Sequence, residues 1–214
     1  MAIACPVDLD TLKLRAEIQS IYARVATEPS GEFHFHRGPE YAATRLGYDA
    51  AELAKIPRTV TESFAGVGNP HAIEPLPAGA TVVDIGSGAG TDLLLAAVHV
   101  GPTGRAIGVD MTAAMRDRAR RGAAACELTH VDVREGEATA LPVESESVDV
   151  VISNGVLNLV AEKQIAIAEV RRILKPGDDV IIAGSVSDDD AKKTYPNGWT
   201  SPKPYIRIVP QPKA

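Results

Sequence analysis

Cysteine, tryptophan and long apolar runs are scarce in this sequence of 214 residues. Its two cysteines, Cys5 and Cys126, are widely separated, so the sequence predicts neither a disulfide framework nor a metal cluster. No apolar run approaches the length that spans a bilayer, and no cationic stretch followed by an apolar one opens the chain. We therefore expect a cytoplasmic protein with no membrane partner.

An excess of positive charge is also lacking. The chain carries 22 Lys and Arg against 28 Asp and Glu, for a net charge of −6. This balance argues against non-specific binding to nucleic acid or to anionic membranes. The hydrophobic content of 45% suits one domain with a sizeable core and an appendage.

The most informative segment is residues 81–92, TVVDIGSGAGTD. An apolar run leads into closely spaced glycines, and a leucine- and alanine-rich helical stretch follows at once. Strand, glycine turn and helix in this order predict the first half of a βαβ nucleotide-binding unit. The glycines allow a ligand to approach the backbone, because no Cβ intervenes.

The spacing of these glycines narrows the choice of ligand. A dinucleotide fingerprint is G-x-G-x-x-G, whereas here the third glycine, Gly90, comes one position early. Asp84 stands two residues before the first glycine, Gly86, and an acid there would repel a phosphate. A ligand with a sulfonium and an ammonium group would tolerate this charge. The pattern therefore favours S-adenosylmethionine over NAD.

Alternating strands and helices continue after this segment. Further strands are predicted at 106–109, 128–133, 148–152 and 180–183, with helices at 112–125 and 161–174, the second closed by Lys-Pro-Gly at 175–177. Such alternation predicts a parallel sheet with helices on both faces, whose ligands bind at the carboxyl ends of the strands. Asp110 lies at one such end, where an acid accepts hydrogen bonds from ribose hydroxyls. The other residues expected at this edge are Gly86, Glu137 and Asn154.

Two helix faces are predicted from spacing. On the first helix, Leu14, Ile18, Ile21 and Val25 share one apolar face. On the helix at 112–125, the alanines are expected to pack closely, and four arginines are interpreted as a solvated face: Arg116, Arg118, Arg120 and Arg121.

The N-terminal part, residues 1–77, differs in character from the rest. It holds the first helix, a second at 39–46, a third from Asp49 to residue 54 and a loop at 63–70. It is too short and too broken to hold a core alone. We therefore interpret 1–77 as a helical lid that covers the substrate and 78–214 as the cofactor-binding domain, together forming one structural unit.

Five segments in order resemble the class I S-adenosylmethionine-dependent methyltransferases: DIGSGAGTD, GVDMT, EGEATALPV, SNGVLNLV and RRILKPG. They are most similar to the branch that contains the arsenite methyltransferases and the ubiquinone and menaquinone biosynthesis methyltransferases. The resemblance covers residues 41–183 and implies an α/β, Rossmann-like fold with S-adenosylmethionine as cofactor. It implies methyl transfer to a small-molecule acceptor.

The resemblance also implies a set of cofactor contacts. Gly86, Ser87, Gly88 and Gly90 would surround the methionine part, Asp110 the ribose, Met111 the adenine ring, Glu137 and Ala138 the adenine edge, and the Asn154 backbone the methionine amino group. Asp84 and Gly155 complete the predicted cofactor site.

The arsenite branch holds its substrate with cysteine thiolates, which suit a thiophilic metalloid. By resemblance, two of those cysteines fall where this chain has Val67 and Gly155, and the third falls in a C-terminal region that we expect this chain to lack. Neither of the chain's own cysteines matches these positions. We therefore expect an acceptor other than arsenite. Val67 and Asn69 are the candidates for the substrate pocket.

The C-terminal end is expected to be shortened, with a single edge strand at 205–209 after a turn at Asn197-Gly198. This departure leaves open an alternative, a non-catalytic homologue that binds the cofactor or a partner. An NAD-dependent dehydrogenase is disfavoured by the glycine spacing.

An acceptor with a pKa well above 7 would need a base. The catalytic candidates in the lid are His34, His36 and Tyr41, with His71 as a further possibility. His34 and His36 alternate with phenylalanines, so an extended segment with one buried face is the competing interpretation. Tyr22 is equally consistent with a core aromatic or with a wall of the cofactor pocket.

Overall fold

A computed structural model describes residues 10–183 and 205–208 of the chain, with side chains for 10–176. Its centre is a six-stranded sheet in the order β3-β2-β1-β4-β5-β6. The first five strands are parallel, and β6 pairs antiparallel with β5. The strands are β1 Thr81–Ile85, β2 Arg105–Asp110, β3 Val131–Glu135, β4 Val148–Asn154, β5 Leu174–Ala183 and β6 Tyr205–Ile208.

Four of the described helices precede the first strand in the chain, and three lie between strands. They are α1 Thr11–Thr27, α2 Gly38–Leu46, α3 Ala50–Leu53, α4 Arg58–Thr61, α5 Thr91–Val100, α6 Ala113–Ala125 and α7 Lys163–Ile173, with 3₁₀ turns at Pro70–Ala72 and Leu157–Leu159. Within the described residues, none of the helices combines the length and apolarity needed to cross a membrane. The predicted α/β, Rossmann-like architecture is confirmed.

Strand β1 occupies the middle of the sheet because both of its faces are apolar. Val82, Val83 and Ile85 are buried, with β2 on one side and β4 on the other. The chain order reverses between these neighbours, since β2 and β3 follow on one side and β4 and β5 on the other. Such a switch point opens a crevice at the carboxyl ends of the strands.

The first helices have the ends that their sequences predict. Asp49 accepts a hydrogen bond from the backbone N–H of Ala51 at 2.7 Å and so caps α3. Gly47 ends α2 in the left-handed conformation, φ +74°, which glycine adopts without strain. The short helix α4 and both 3₁₀ turns were not predicted, because segments of three or four residues carry too little periodicity.

The lid and the sheet share a hydrophobic cluster. Val25 and Val60, from the segment before the sheet, are fully buried together with Leu94 of α5 and Met115 of α6. This packing places α1 and α4 against the helices that follow β1 and β2. The boundary near residue 77 stays a prediction.

Several details of α1 and α6 differ from the sequence interpretation. Ile21 is 40% exposed, so it does not lie on the buried face of α1. On α6, Ala124 and Ala125 are exposed. The expectation that all four arginines face water is wrong for Arg116 and Arg118, whose side chains are 8% and 15% exposed. Arg116 bonds to Glu135 and the Asp110 carbonyl, and Arg118 bonds to Glu62 and the Thr59 carbonyl.

Two boundaries also move. Strand β3 begins at Val131 rather than 128, and β5 begins at Leu174, directly after α7. Lys-Pro-Gly at 175–177 therefore lies inside β5 and does not close the helix, because the irregular pairing of β5 with β4 near Val148 and Val150 accommodates it. The edge strand predicted at 205–209 is present as β6. The predicted turn at Asn197-Gly198 lies outside the described residues.

Candidate cofactor site

An open cavity lies at the carboxyl ends of β1, β2 and β4, and its empty volume is about 1170 Å³ including the mouth. The predicted cofactor residues that line it are Asp84, Gly86, Ser87, Gly88, Asp110, Met111, Glu137, Ala138 and Asn154.

The glycine turn forms the floor of the cavity. Gly86 has φ +70°, and a Cβ built on it would lie 2.2 Å from a methyl carbon of Val156. Only glycine allows this approach of the turn to the segment after β4. Gly90 begins α5 at φ +100° and packs against Ala119 of α6, away from the cavity lining.

Asp110 links the turn to the end of β2. Its carboxylate accepts hydrogen bonds from the N–H of Gly88 at 2.9 Å and from the N–H of Thr112 at 2.8 Å. Burial raises the pKa of Asp110, although these two N–H groups and the nearby Arg116 act in the opposite direction. The carboxylate is thus held at the cavity wall with lone pairs left for hydroxyl donors.

Asp84 is the most deeply buried acid of the cavity wall, with 2% exposure. One carboxylate oxygen accepts from the N–H of Leu93 at the start of α5, and the other, Oδ2, has no hydrogen-bond partner among the described residues. Burial first, and then the charges of Asp92 and Asp110, raise the pKa of Asp84 well above its usual range.

Further unpartnered oxygens lie beside it. Among the described residues, the buried hydroxyls of Ser87 and Thr91 also make no hydrogen bond. Buried polar atoms without partners are rare in folded proteins, and these three residues line a cavity where a ligand or water can supply the missing partners. Because the carboxylates Asp84 and Asp110 line the same cavity, that ligand fits best if it carries positive charge and hydroxyl donors, as S-adenosylmethionine does.

The side chain of Asn154 has a function that the sequence did not reveal. Its oxygen accepts from the N–H groups of Val67 and Gly68 at 2.8 and 3.1 Å, and its amide donates to the Gly68 carbonyl at 2.8 Å. The same amide donates to Asp92 at 2.9 Å. Asn154 therefore ties the end of β4 to the lid loop.

Helix α1 covers one side of the cavity and is fastened to both of its rims. Arg15 lies 3.3 Å from Glu137 and 3.2 Å from Glu162, and Gln19 donates to the Met111 carbonyl at 3.3 Å. Tyr22 lines the cavity and packs on the shared cluster, so it is both wall and core. Burial, followed by the charge of Asp110, raises its pKa.

The three catalytic candidates do not reach the cavity. His36 stacks on Tyr41 with ring centroids 5.3 Å apart, and neither ring is among the lining residues. His34 is likewise absent from the lining, and the rings of its neighbours Phe33 and Phe35 contact each other at a tilt of 38°, with centroids 5.6 Å apart. A catalytic role for any of them has no support from their position.

Both substrate-pocket candidates also lie outside the lining. Asn69 is a buried turn residue, whose amide donates to the Gly47 carbonyl and whose oxygen accepts from the His71 N–H, both at 3.1 Å. Val67 is part-exposed beside Gly155, which does not line the cavity either. Their immediate neighbours, Gly66 and Asn154, do line it.

No thiol lines the cavity in the part of the chain that the structure describes. Cys126 is a free, part-exposed thiol at the end of α6, and burial raises its pKa. Across residues 10–183 and 205–208, no cluster of His, Cys, Asp and Glu could hold a metal ion.

A family model described as a methyltransferase domain matches residues 76–205 of this chain. An arsenite methyltransferase of Halobacterium salinarum is 47% identical over 142 residues, which are 66% of this chain and 36% of the relative. The arsenite methyltransferase of Mus musculus is 28% identical over 182 residues, 80% of this chain and 47% of the relative. The chain thus spans less than half the length of these curated relatives.

Among solved structures, an arsenic(III) S-adenosylmethionine methyltransferase from Chlamydomonas reinhardtii matches with a TM-score of 0.56 and 33% identity, over 68% of this chain and 52% of that one. The chain belongs to the methyltransferase domain family. The predicted resemblance to the class I S-adenosylmethionine-dependent methyltransferases, near the arsenite methyltransferase branch, is confirmed. The roles of individual site residues stay predictions.

Proposed function

We propose that this chain transfers a methyl group from S-adenosylmethionine to an apolar small-molecule acceptor other than arsenite. The observation that carries the proposal is a cavity lined by two aspartates that have no ion-pair partner among the described residues and by several apolar side chains, with no thiol among its lining residues. Asp84 and Asp110 stand on the sheet side. Five apolar side chains from α1 and from the segment after β4 also line the cavity: Leu14, Ile18, Val156, Leu159 and Val160.

The residues of the sheet edge would hold the cofactor. Asp110 would accept from the ribose hydroxyls, Met111 and Glu137 would contact the adenine, and the turn at Gly86 would face the methionine part. When bound, S-adenosylmethionine supplies an electrophilic methyl group whose leaving group is a neutral thioether, so no general acid is needed. The chain's contribution is alignment of the acceptor and exclusion of water by α1.

Arsenite is the second candidate acceptor, favoured by the similarity to arsenite methyltransferases. Against it, positions 67 and 155 carry valine and glycine, neither of which can ligate a thiophilic metalloid. Cys126 lies on α6, outside the cavity. An apolar acceptor agrees better with the leucine and isoleucine side chains of α1.

Two measurements test the proposal in sequence. Calorimetric titration should show binding of S-adenosylmethionine and none of NAD. Release of S-adenosylhomocysteine should then be followed with a panel of quinols, phenols and thiols, and separately with arsenite and glutathione. Turnover with arsenite alone would contradict the proposed acceptor class. Binding without turnover on any acceptor would instead favour the non-catalytic homologue.

A further inference from the structure

Asp92 is a buried carboxylate of the cavity wall that the predicted cofactor site does not include. It is the second residue of α5 and is 6% exposed. Its Oδ1 accepts a hydrogen bond from the Tyr48 hydroxyl at 2.7 Å, and its Oδ2 accepts from the Asn154 amide at 2.9 Å. Three separate parts of the chain, the lid, α5 and β4, thus meet at this carboxylate.

No lysine or arginine of the described residues balances the charge of Asp92, and the nearby His71 would do so only when protonated. Within residues 10–176, no Lys or Arg side chain forms an ion pair with Asp92 or Asp84. His71 Nε2 lies 3.3 Å from Asp92 Oδ1, but it is outside hydrogen-bonding geometry. Tyr48 and Asn154 are neutral donors. A buried carboxylate without a cationic partner is costly to the folded state.

A second carboxylate increases this cost. Asp84 faces the same cavity with its unpartnered Oδ2, and the charge of Asp92 is, after burial, the largest cause of the raised pKa of Asp84. Two acids that repel each other in a buried wall form a favourable place for a cation. A carboxylate that accepts one hydrogen bond at each oxygen still has lone pairs for a ligand.

We propose that Asp92 recognises the cationic end of the methyl donor and that Tyr48 is a positioning residue, which fixes the Asp92 carboxylate toward the cavity. This inference rests on the proposed function, because it assigns a further contact at the same site. It also explains why the lid residue Tyr48 reaches α5: closure of the lid and orientation of the cation-binding carboxylate share one hydrogen bond.

A purely structural role makes a different prediction. If Asp92 only held Tyr48 and Asn154 together, its replacement would weaken every ligand of the cavity alike. If it recognises positive charge, the loss will follow the charge of the ligand. Three ligands separate these cases: S-adenosylmethionine has a sulfonium and an ammonium, S-adenosylhomocysteine only the ammonium, and 5′-methylthioadenosine neither.

The experiment measures the Kd of these three ligands by titration calorimetry for the wild type, Asp92→Asn and Tyr48→Phe. Asp149→Asn is the matched control, because Asp149 binds the Thr81 N–H and Lys175 away from the cavity. We expect Asp92→Asn to weaken the binding of S-adenosylmethionine by about tenfold or more, because a charged hydrogen-bond partner is lost. The binding of 5′-methylthioadenosine should weaken by less than about twofold.

The S-adenosylhomocysteine measurement identifies the charge. A loss for S-adenosylmethionine alone assigns Asp92 to the sulfonium, and an equal loss for both assigns it to the ammonium; each result supports the inference. Equal weakening of 5′-methylthioadenosine, or unchanged affinity for S-adenosylmethionine, overturns it. A wild type that binds no S-adenosylmethionine would refute the proposed function itself, which is a distinguishable result.

Tyr48→Phe keeps the test decisive if Asp92→Asn does not fold, as thermal unfolding will show. It removes the hydroxyl and keeps the carboxylate charge. We expect this variant to bind S-adenosylmethionine several-fold more weakly and 5′-methylthioadenosine with unchanged affinity. A uniform change across all three ligands in this variant would reduce Tyr48 to a packing residue and overturn its assignment.

Discussion

Val67 and Gly155 are neighbours at the rim of the cavity: a Cβ built on Gly155 lies 3.5 Å from both methyl carbons of Val67. Residue 67 belongs to the lid loop and residue 155 follows β4, so only the fold brings them together. By resemblance, these are two positions at which arsenite methyltransferases have cysteines. In this chain the same rim is apolar.

The first prediction restores thiols at this rim. The double variant Val67→Cys/Gly155→Cys should bind arsenite, because two adjacent thiolates suit a thiophilic metalloid. Gly155 has φ +79°, so the cysteine there should cost about 1–2 kcal/mol of stability. Binding is measured by calorimetry with a phosphine reductant. Each single variant is the control, and arsenite binding by the wild type would contradict the proposed acceptor class.

The second prediction concerns the ribose contact. Asp110→Ala should weaken S-adenosylmethionine by about 2 kcal/mol or more, roughly 30-fold in Kd, through lost hydrogen bonds to a charged acceptor. Asp132→Ala is the control, since Asp132 pairs with Arg105 and Arg134 outside the cavity. Equal affinity of Asp110→Ala and the wild type would show that the ribose is bound elsewhere.

A third prediction follows from the raised pKa of Asp84. A bound cation stabilises the carboxylate, so the pKa of Asp84 should fall on binding. Affinity for S-adenosylmethionine should then decrease as the pH falls through the pKa of the cofactor-free protein, by up to about tenfold per pH unit. Titrations across pH measure this, and Asp84→Asn should remove the dependence.

The same shift has a consequence for stability. Because burial raises the folded-state pKa of Asp84 above its unfolded value, protonated Asp84 stabilises the fold at low pH, and this contribution is lost as the pH rises through the folded-state pKa. Asp84→Asn should therefore raise the Tm of the cofactor-free protein at pH values above that pKa. A lowered Tm at those pH values would contradict the charge argument.

The fourth prediction tests α1 as a cover of the cavity. Arg15→Gln removes the ion pairs to Glu137 and Glu162, each part-exposed and worth at most about 1 kcal/mol. The dissociation rate of S-adenosylmethionine should rise several-fold and lose part of its dependence on salt. Lys13→Gln, the same charge change on the same helix, is the control. Stopped-flow displacement measures the dissociation rate of S-adenosylmethionine from each variant and from the wild type.

The fifth prediction separates two arginines of α6. Arg116→Ala should lower the free energy of unfolding by about 1–2 kcal/mol, because it removes a buried side chain and its hydrogen bond to the Asp110 carbonyl, whereas the ion-pair partner Glu135 is 75% exposed. Arg121 is exposed, and Arg121→Ala should stay within about 0.5 kcal/mol. Denaturant unfolding measures both, and equal effects would mean that the burial of Arg116 adds no stability.

The sheet and its ligand edge were predictable from sequence because local patterns determine them. An apolar run followed by Gly86 specifies a buried strand and a tight turn whatever surrounds them. Asp110 follows from the fixed spacing of the βαβ unit. The arginines of α6 show the limit of prediction from local patterns. Spacing alone assigned all four to solvent, whereas Arg116 is buried and pairs with Glu135 of β3.

What the sequence by itself determined is the class of fold, the order of its strands and helices, and the acids at the strand ends, since strand and turn propensities act over a few neighbouring residues. Only the tertiary structure decided that Tyr48, Asp92 and Asn154 meet, that Val67 faces Gly155, and that His34 and His36 stay outside the cavity. Those contacts join residues 44 to 106 positions apart or depend on how the lid packs. No local sequence pattern determines these contacts. They depend on how α1 and α4 pack against the helices that cover the sheet.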